Sequence, residues 1–370
     1  MQFRFGCFCV LLCLSLCCPA EAQVTIIQAA EGISFNDLGY NPVTGESTII
    51  SYSGPFDTRT YEVATLNSNR DGFDYTAPAS LSAATTNLVL TGVSTDGSRL
   101  SGHVKDVDSI NQGLTWLSTD LSNVVAIGRP DDNAGLGSQA LGAWSGGVVG
   151  QFTNWLTKWD AESGFVGTSS FSSNSFVDVS ANGELAVGNA VGGAAVWDGG
   201  PTVTMLAESF DTSDAFAISP DGTAIGGSVR NFDSFGRAVI WNGDNWIPTI
   251  LLDENNEPVQ GAVTELTDNG FAIGTGFEPG VGSFGFIYDP TSGTATGFND
   301  WLIAQDSSLG FDSELIPSGA NWDSATNTMR FVTFSGAYIE VGLTAVPEPG
   351  CLSLLVCGLL GLASRRRRLR

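Results

Sequence analysis

The chain has 370 residues, of which 39 are acidic and 15 are basic, and its net charge at neutral pH is −24. A surface this acidic argues against direct binding of nucleic acid, anionic polysaccharide or membrane headgroups, because like charges repel unless divalent cations intervene. The chain has 1 histidine, His103, which excludes metal sites built from several histidines.

Residues 1–22 predict a signal peptide. Arg4 supplies an early positive charge, an apolar run follows from Cys7 to Cys18, and Ala20 and Ala22 form the small-x-small pattern of a signal-peptidase site. The apolar run has no amphipathic period, which argues against a buried helix of the mature fold. We therefore expect a signal helix that is removed during export, with the mature chain beginning near Gln23.

The predicted exported part, residues 23–345, contains no cysteine and carries most of the charge. All 7 cysteines lie in the two terminal segments. In an oxidising compartment this excludes a disulfide framework and also thiolate metal or nucleophile chemistry. Among the acidic residues only Glu21 and Glu348 lie outside this part, so its net charge is about −28. Carboxylates for weakly held calcium are therefore plentiful.

Glycine-rich segments with alternating apolar residues repeat along this part and predict an all-β chain. Three of them align: "DVSANGELAVGNAVGGAAVWDGG" from Asp178, "AISPDGTAIGGSVRNFDSFGRAVIWNGD" from Ala217 and "ELTDNGFAIGTGFEPGVGSFGFIYDPTSG" from Glu265. Each has Asn-Gly or Asp-Gly, a short strand, a glycine-rich loop and a second strand ending in Trp or Tyr, which is typical of a β-hairpin. We expect positive φ angles in the turns and burial of the aromatic residues between sheets. The turns are Asn182-Gly183, Asp221-Gly222 and Asn269-Gly270, and the aromatic residues are Trp197, Trp241 and Tyr288.

Weaker copies extend the repeat to seven units with a mean spacing of about 46 residues. A period of 40 to 50 residues with several short strands per unit is typical of a β-propeller. The pattern from Ile218 to Trp241 also resembles extracellular HAF-type repeats, and more loosely WD- and kelch-type blades. We predict a β-propeller of seven blades, within a range of six to eight. Two β-sandwich domains divided near Gly164–Asn174 are the alternative. The predicted turns are Thr44, Asp96, Asn123, Asn182, Asp221, Asn269 and Asn327.

Candidate catalytic groups are few. His103 lies in a strand-like run, and no serine has a nucleophile elbow around it, which favours a structural role for His103. A glycosidase needs two carboxylates at a fixed separation, for which Asp131 with Asp132, or Asp253 with Glu254, are candidates. The Gly-x-Gly runs lead into strands, which argues against a dinucleotide-binding or phosphate-binding loop.

Two loops resemble known turn or metal motifs. "SINQGLTW", Ser109–Trp116, resembles the Asp-box of sialidase-type propellers, with Asn111 in the Asp position; the resemblance implies a turn in which Asn111 bonds local backbone. "DENNEP", Asp253–Pro258, places oxygen ligands at alternate positions, but Pro258 stands where a calcium loop needs glycine. We interpret the second segment as a solvated loop. No cofactor is predicted, and calcium is the open alternative.

The C-terminal segment, residues 346–370, has three parts in order. The tripeptide Pro347, Glu348 and Pro349 precedes an apolar run from Cys351 to Ala363 and a cluster of arginines. The arginines would stay on the cytoplasmic side of a membrane, and an apolar run of 13 residues is short for a permanent span, so we expect a temporary transmembrane-like helix. The basic cluster is Arg365, Arg366, Arg367, Arg368 and Arg370.

This order of Val-Pro-Glu-Pro, apolar stretch and arginine cluster resembles the PEP-CTERM sorting signal of Gram-negative bacteria. The resemblance covers the last 25 residues. It implies transient anchoring in the inner membrane, processing by an exosortase, and release to the cell surface or to an extracellular polysaccharide matrix. It implies nothing about the fold of the exported part. An ordinary tail anchor is the alternative.

The sequence thus predicts an exported, non-catalytic surface or extracellular-matrix protein that associates with exopolysaccharide. Its expected partners during export are signal peptidase and the exosortase, and nucleic acid is not an expected partner. One alternative is a carbohydrate-active propeller enzyme that uses a carboxylate pair. The other is a calcium-dependent adhesion module.

Overall fold

Seven four-stranded antiparallel sheets form the computed structural model, which describes residues 23–55, 58–79, 87–105, 111–127, 138–152, 155–170, 175–206, 210–231, 236–243, 245–280 and 282–343. Ala20, Ala22, Pro347, Glu348 and Pro349 lie outside these residues, together with the whole of the predicted signal peptide and sorting segment. Within the ranges described, no helix has both the length and the hydropathy needed to cross a membrane.

Almost all of the regular structure is short strands. In chain order they are β1 Val24–Gln28, β2 Ile33–Asn41, β3 Glu46–Ser53, β4 Thr60–Leu66, β5 Phe73–Thr76, β6 Asn87–Val93, β7 Arg99–Lys105, β8 Asn111–Leu117, β9 Asp120–Ala126, β10 Ser138–Trp144, β11 Gly147–Phe152, β12 Trp155–Asp160, β13 Gly164–Ser170, β14 Ser175–Val179, β15 Ala186–Ala190, β16 Gly193–Trp197, β17 Thr204–Met205, β18 Thr212–Ile218, β19 Ala224–Arg230, β20 Arg237–Asn242, β21 Ile247–Ile250, β22 Gly261–Leu266, β23 Ala272–Glu278, β24 Gly282–Asp289, β25 Thr294–Gly297, β26 Pro317–Asp323, β27 Thr328–Thr333 and β28 Ala337–Gly342. A helix, α1, spans Phe298–Gln305.

Each sheet is one blade of a propeller. Six blades consist of four consecutive strands, from β2-β3-β4-β5 to β22-β23-β24-β25, and the first strand of each blade contacts the first strands of its neighbours around the ring. The seventh blade has the order β26-β27-β28-β1, with Val24 opposite Val341 and Gln28 opposite Ala337. This pairing closes the ring by joining the two ends of the described chain. The predicted all-β, seven-bladed propeller is confirmed.

The alternative of two β-sandwich domains is wrong. Residues Gly164–Ser170, where the boundary was expected, form β13, which is the outermost strand of the third blade and pairs with β12. The serine and glycine content of this segment favoured a linker, but an edge strand tolerates the same small polar residues.

The hydrophobic core lies between neighbouring blades. Val187 of the fourth blade packs in one cluster with Ile225 and Trp241 of the fifth. Trp197 and Trp241 lie at or next to the ends of the third strands of their blades and are buried, whereas Tyr288 near the end of the third strand of the sixth blade is partly buried. The predicted position of these aromatic residues between sheets is therefore confirmed. Large flat side chains suit this position because each covers much of the apolar surface of the facing sheet.

A repeated turn joins the first and second strands of a blade at one face, which we call the lower face; the first strands begin at the opposite, upper face. In the fifth blade the Ser219 hydroxyl donates to Asp221 Oδ1 over 2.6 Å and accepts the N–H of Ala224, and Gly222 has φ 75°. Three further turns have the same hydroxyl bond, formed by Ser94 with Asp96, Ser180 with Asn182 and Thr267 with Asn269. Their glycines also have positive φ, as predicted: Gly97, Gly183 and Gly270.

One predicted turn, at Asn123, is wrong. Asn123 lies inside β9, the outermost strand of the second blade. The turn of the third blade that matches the others lies between β10 and β11, at Ser145 and Gly146. This turn has neither Asn nor Asp, the residue types that mark most of the other predicted turns, so the sequence pattern passed over it.

Candidate functional site

The first strands of all seven blades carry a β-bulge at the same place. In each, one residue is skipped by the pairing with the second strand, as Asn36 is between Phe35 and Asp37. A bulge bends the strand and changes the direction of the side chains that follow it. The residues directly after the bulges are Asp37, Gly92, Gly142, Asp178, Ala217, Glu265 and Gly319.

Most of these seven positions hold small residues because neighbouring strands approach closely. A Cβ atom placed on Gly319 would lie 3.0 Å from the backbone nitrogen of Leu38 in the next blade, and one on Gly142 would lie 3.2 Å from Cα of Asp178. Contacts this short require the neighbouring backbone to move. The ring can therefore hold a larger side chain at only some of the seven positions, and three of them hold carboxylates.

Two of the carboxylates bridge adjacent blades in the same way. Asp37 accepts the N–H of Leu38 through Oδ1 over 2.7 Å and that of Val93 in the next blade through Oδ2 over 2.8 Å. Asp178 repeats the arrangement with Val179 at 2.7 Å and Ile218 at 2.8 Å. Each carboxylate therefore ties the bulge of its own strand to the first strand of the following blade.

The third carboxylate, Glu265, lies in the same enclosed space. Burial raises the pKa of Asp37 to about 6 against the opposing effect of its backbone hydrogen bonds. Burial, with a smaller contribution from the charge of Asp37, raises the pKa of Asp178 to about 7. Burial, followed by the charges of Asp178 and Asp37, raises the pKa of Glu265 well above its ordinary value. All three carboxyl groups therefore hold their protons to a higher pH than exposed carboxyl groups do.

These carboxylates line a cavity of about 50 Å³ on the propeller axis, together with Thr95 and Asn321. By this measure a cavity of such size has room for about three or four waters. In the part of the chain that the structure describes, no group of three or more His, Cys, Asp or Glu is arranged to hold a metal. We call Asp37, Asp178 and Glu265 the channel carboxylates. Two of them tie neighbouring blades together, and the cavity that all three line is too small for a sugar or a cofactor.

A larger opening, of about 660 Å³, lies at the upper face beside the sixth blade. We call it the upper groove. Its wall comes from the loop between β21 and β22, the ends of β23 and β25, the start of β24 and the first turn of α1. Its volume lies within the usual range for small-ligand sites. The side chains used below are Asp253, Glu254, Gln260, Phe277, Glu278, Phe284 and Asp300.

Two phenylalanines give the upper groove apolar surface. Phe277 is the last residue but one of β23, and 43% of its surface is exposed. Phe284 lies opposite Gly276 in the strand pairing, and a Cβ atom on Gly276 would collide with its ring. Glycine at this position therefore lets the ring lie flat across β23. Gln260 contributes a buried Oε1 that has no hydrogen-bond partner within the residues described.

The candidate acids Asp253 and Glu254 both line this groove, but Asp253 mainly shapes its own loop. Asp253 Oδ1 accepts the N–H groups of Asn255 and Glu257, each over 2.8 Å. The hydrogen bond from Glu257 is the main cause of the lowered pKa of Asp253. The general acid of a glycosidase needs the opposite, a raised pKa. The segment is thus the solvated, self-bonded loop that the sequence predicted.

The remaining candidate residues do not come together. His103 lies in β7, where burial lowers its pKa and its Nδ1 has no hydrogen-bond partner among the described atoms. Asn111 begins β8 opposite Lys105 of β7, and residues 106–110, where the Asp-box turn was expected, lie outside the described residues. Asp131 and Asp132 lie outside the described residues.

Neither a protein-family model nor a curated protein matches the chain. Among solved structures, a chain of the Mitotic Checkpoint Complex is similar, with 12% identity and a TM-score of 0.53, over 87% of this chain and 91% of that one. The β-propeller domain of the trilobed protease from Pyrococcus furiosus, which has an open velcro topology, is 12% identical with a TM-score of 0.49, over 82% of this chain and 90% of that domain. At 12% identity, the likeness to the chain of the Mitotic Checkpoint Complex shows the fold alone, a seven-bladed β-propeller.

Proposed function

We propose that this protein is exported and acts without catalysis, as a component of the cell surface or the extracellular matrix that binds exopolysaccharide. The observation that carries the proposal is the upper groove, in which Phe277 and Phe284 lie beside carboxylate and amide side chains. Sugar rings have one apolar and several hydroxyl-bearing surfaces, so they pack on aromatic rings while polar neighbours bind their hydroxyl groups.

The two ends of the sequence support the export part of the proposal. Ala20 and Ala22 fit a signal-peptidase site, and Pro347, Glu348 and Pro349 precede an apolar run and an arginine cluster, as in PEP-CTERM sorting signals. Removal of both ends leaves a chain of about residues 23–345, which contains every strand of the closed propeller. An intermediate with its C-terminal arginines on the cytoplasmic side would precede release.

A carbohydrate-active enzyme that uses Asp253 and Glu254 is the alternative for the same groove. The lowered pKa of Asp253 and its two backbone hydrogen bonds favour binding over catalysis, because this carboxylate is already occupied in its loop. A calcium-dependent adhesion module is the second alternative. It would show itself as a calcium-dependent rise in melting temperature.

The first test is co-sedimentation of the protein, purified from its own cells, with the exopolysaccharide of those cells. We expect Phe277→Ala to reduce binding at least about tenfold, as loss of an aromatic contact worth roughly 1.4 kcal/mol would. Phe334→Ala is the matched control, because Phe334 is also 43% exposed and does not line the groove. Equal loss in both variants, or in neither, would contradict a binding role for the groove.

The second test is the mass of the C-terminal peptide of the protein recovered outside its cells. Sorting by an exosortase-type enzyme predicts a chain that ends near Val346–Glu348 and lacks the arginines. Recovery with Arg370 intact would mean a permanent tail anchor and would contradict the sorting proposal.

A further inference from the structure

We infer that the upper groove selects a polysaccharide with free amino groups, such as a de-N-acetylated hexosamine polymer. The inference rests on the proposed function and names the chemical class of the ligand. Its starting point is the balance of hydrogen-bond donors and acceptors around the groove. The carboxylates that line it are Asp253, Glu254, Glu278 and Asp300, and none of the described lining residues is basic.

Carboxylates accept hydrogen bonds and do not donate when ionised. The buried Oε1 of Gln260 adds a further acceptor, and it lacks a partner among the described residues. The groove therefore favours a ligand rich in donors. An ammonium group has three N–H donors and no acceptor, whereas a hydroxyl brings an acceptor with each donor.

Charge favours the same ligand. Glu314 lies close enough to Asp300 that the charge of Asp300, after burial, contributes to raising its pKa. This end of the groove therefore has an excess of negative charge that a cation would relieve. Arg237 faces Gln260 across an isolated backbone bridge, but its side chain does not line the groove. An anionic sugar would meet repulsion from every charged group in the wall.

The aromatic surface also accepts a cation. Phe277 exposes part of its ring beside Glu278, and the face of an aromatic ring attracts an ammonium group. A pyranose with an equatorial ammonium group can thus place its apolar C–H face on a ring and its nitrogen toward a carboxylate. Both contacts come from one residue of the polymer.

The test compares three hexamers of the same β-1,4-linked sugar backbone: cellohexaose, the N-acetylglucosamine hexamer and the glucosamine hexamer. Affinities are measured by calorimetry on the protein purified from its own cells, at low salt and at pH 6, where glucosamine is mostly protonated. We expect the glucosamine hexamer to bind roughly tenfold or more tightly than the other two, as one charge-assisted hydrogen bond would give. Added salt should reduce this preference.

The variant Glu278→Gln with Asp300→Asn should remove most of the preference and keep the binding of cellohexaose. Glu31→Gln, which neutralises an exposed carboxylate outside the groove, should leave the preference unchanged. Thermal unfolding checks that each variant remains folded.

The outcomes separate this inference from the proposed function. Equal binding of the three hexamers would overturn the inference and leave polysaccharide binding standing. Binding of the cells' own polysaccharide with none of the hexamers would overturn it in the same way. Failure to bind the cells' own polysaccharide as well as all three hexamers would refute both the inference and the proposed function. A preference for the glucosamine hexamer that survives in the double variant would refute the groove as the site that binds the amine.

Discussion

The channel carboxylates should make the propeller less stable as pH rises from 5 to 8. The pKa of Asp178 is raised from 3.8 to about 7 and that of Asp37 from 3.8 to about 6. Because the folded state holds these protons where the unfolded state has lost them, the stabilising contribution is complete below about pH 4 and is lost as pH rises through 6 and 7. At 1.36 kcal/mol per pKa unit, ionisation of Asp178 alone costs roughly 4 kcal/mol.

The substitution Asp178→Asn isolates this effect. Asparagine can accept one of the two backbone hydrogen bonds that Asp178 accepts, from Val179 and Ile218, so the variant loses about 1 kcal/mol at low pH, where Asp178 is protonated in both the folded and the unfolded state. At pH 8 it avoids the full cost of ionisation, and we expect it to be roughly 3 kcal/mol more stable than its parent. Because the parent loses about 1.4 kcal/mol per pH unit between these limits, the two proteins should be about equally stable between pH 4 and 5, and the advantage of the variant should grow by roughly 2–3 kcal/mol from pH 5 to 8.

The assay is urea unfolding at half-unit pH steps, with the free energy of unfolding extrapolated to water. Burial lowers the pKa of His103, so the contribution of this group to stability rises as pH rises. The contribution is the same in Asp178→Asn and in its parent, and it therefore cancels in the difference between them. Glu31→Gln is the control for loss of one exposed negative charge. A difference between Asp178→Asn and its parent that stays constant from pH 5 to 8 would mean that the carboxyl group of Asp178 does not titrate in the folded protein over this range.

Two further substitutions test how the ring is held together. Arg330, which is 5% exposed, stacks on Tyr40 of the first blade at 3.5 Å and pairs with Asp323 and Glu340. The substitution Arg330→Ala leaves these carboxylates without their partner, so it should lower the free energy of urea unfolding by about 3–5 kcal/mol. A loss below about 1 kcal/mol would contradict a buried ion-pair network where the ring closes. Gly319→Ala should lower the free energy of unfolding by about 1–3 kcal/mol, because its Cβ would lie 3.0 Å from the backbone of the next blade. Gly310→Ala is the control, because a Cβ there meets nothing within 4 Å, and it should change the same quantity by less than about 0.5 kcal/mol. Equal effects of the two substitutions would contradict close packing of the first strands.

Much of the fold could be predicted from the sequence because its turns use a local chemistry. Asp221 and Gly222 form a turn that their own residue types favour, and copies of this pair at a regular spacing show the blade repeat. The turn at Ser145 and Gly146 uses other residues and was missed. The closing strand, Val24–Gln28, could not be placed because its partner, β28, lies more than 300 residues away and has no local signal.

The candidate sites were harder to predict because they depend on burial and on contacts between distant segments. Asp178 and Glu265 begin two of the aligned repeat segments, so their shared position was visible, but Ala217 begins the third and hid the acidic pattern. Their raised pKa values arise from enclosure by seven strands, which the sequence does not record. Asp253 and Glu254 were considered as a pair in one loop, and only the fold places them in one groove with Phe277.

The most direct test is the distribution of the protein between cells, extracellular matrix and medium in cultures of its own organism, measured by quantitative immunoblotting. We expect the wild-type protein and Phe334→Ala mainly in the matrix, whereas Phe277→Ala should be exported normally and lost to the medium. Retention of Phe277→Ala in the matrix at the wild-type level, or confinement of the wild-type protein to the cells, would contradict the proposed function.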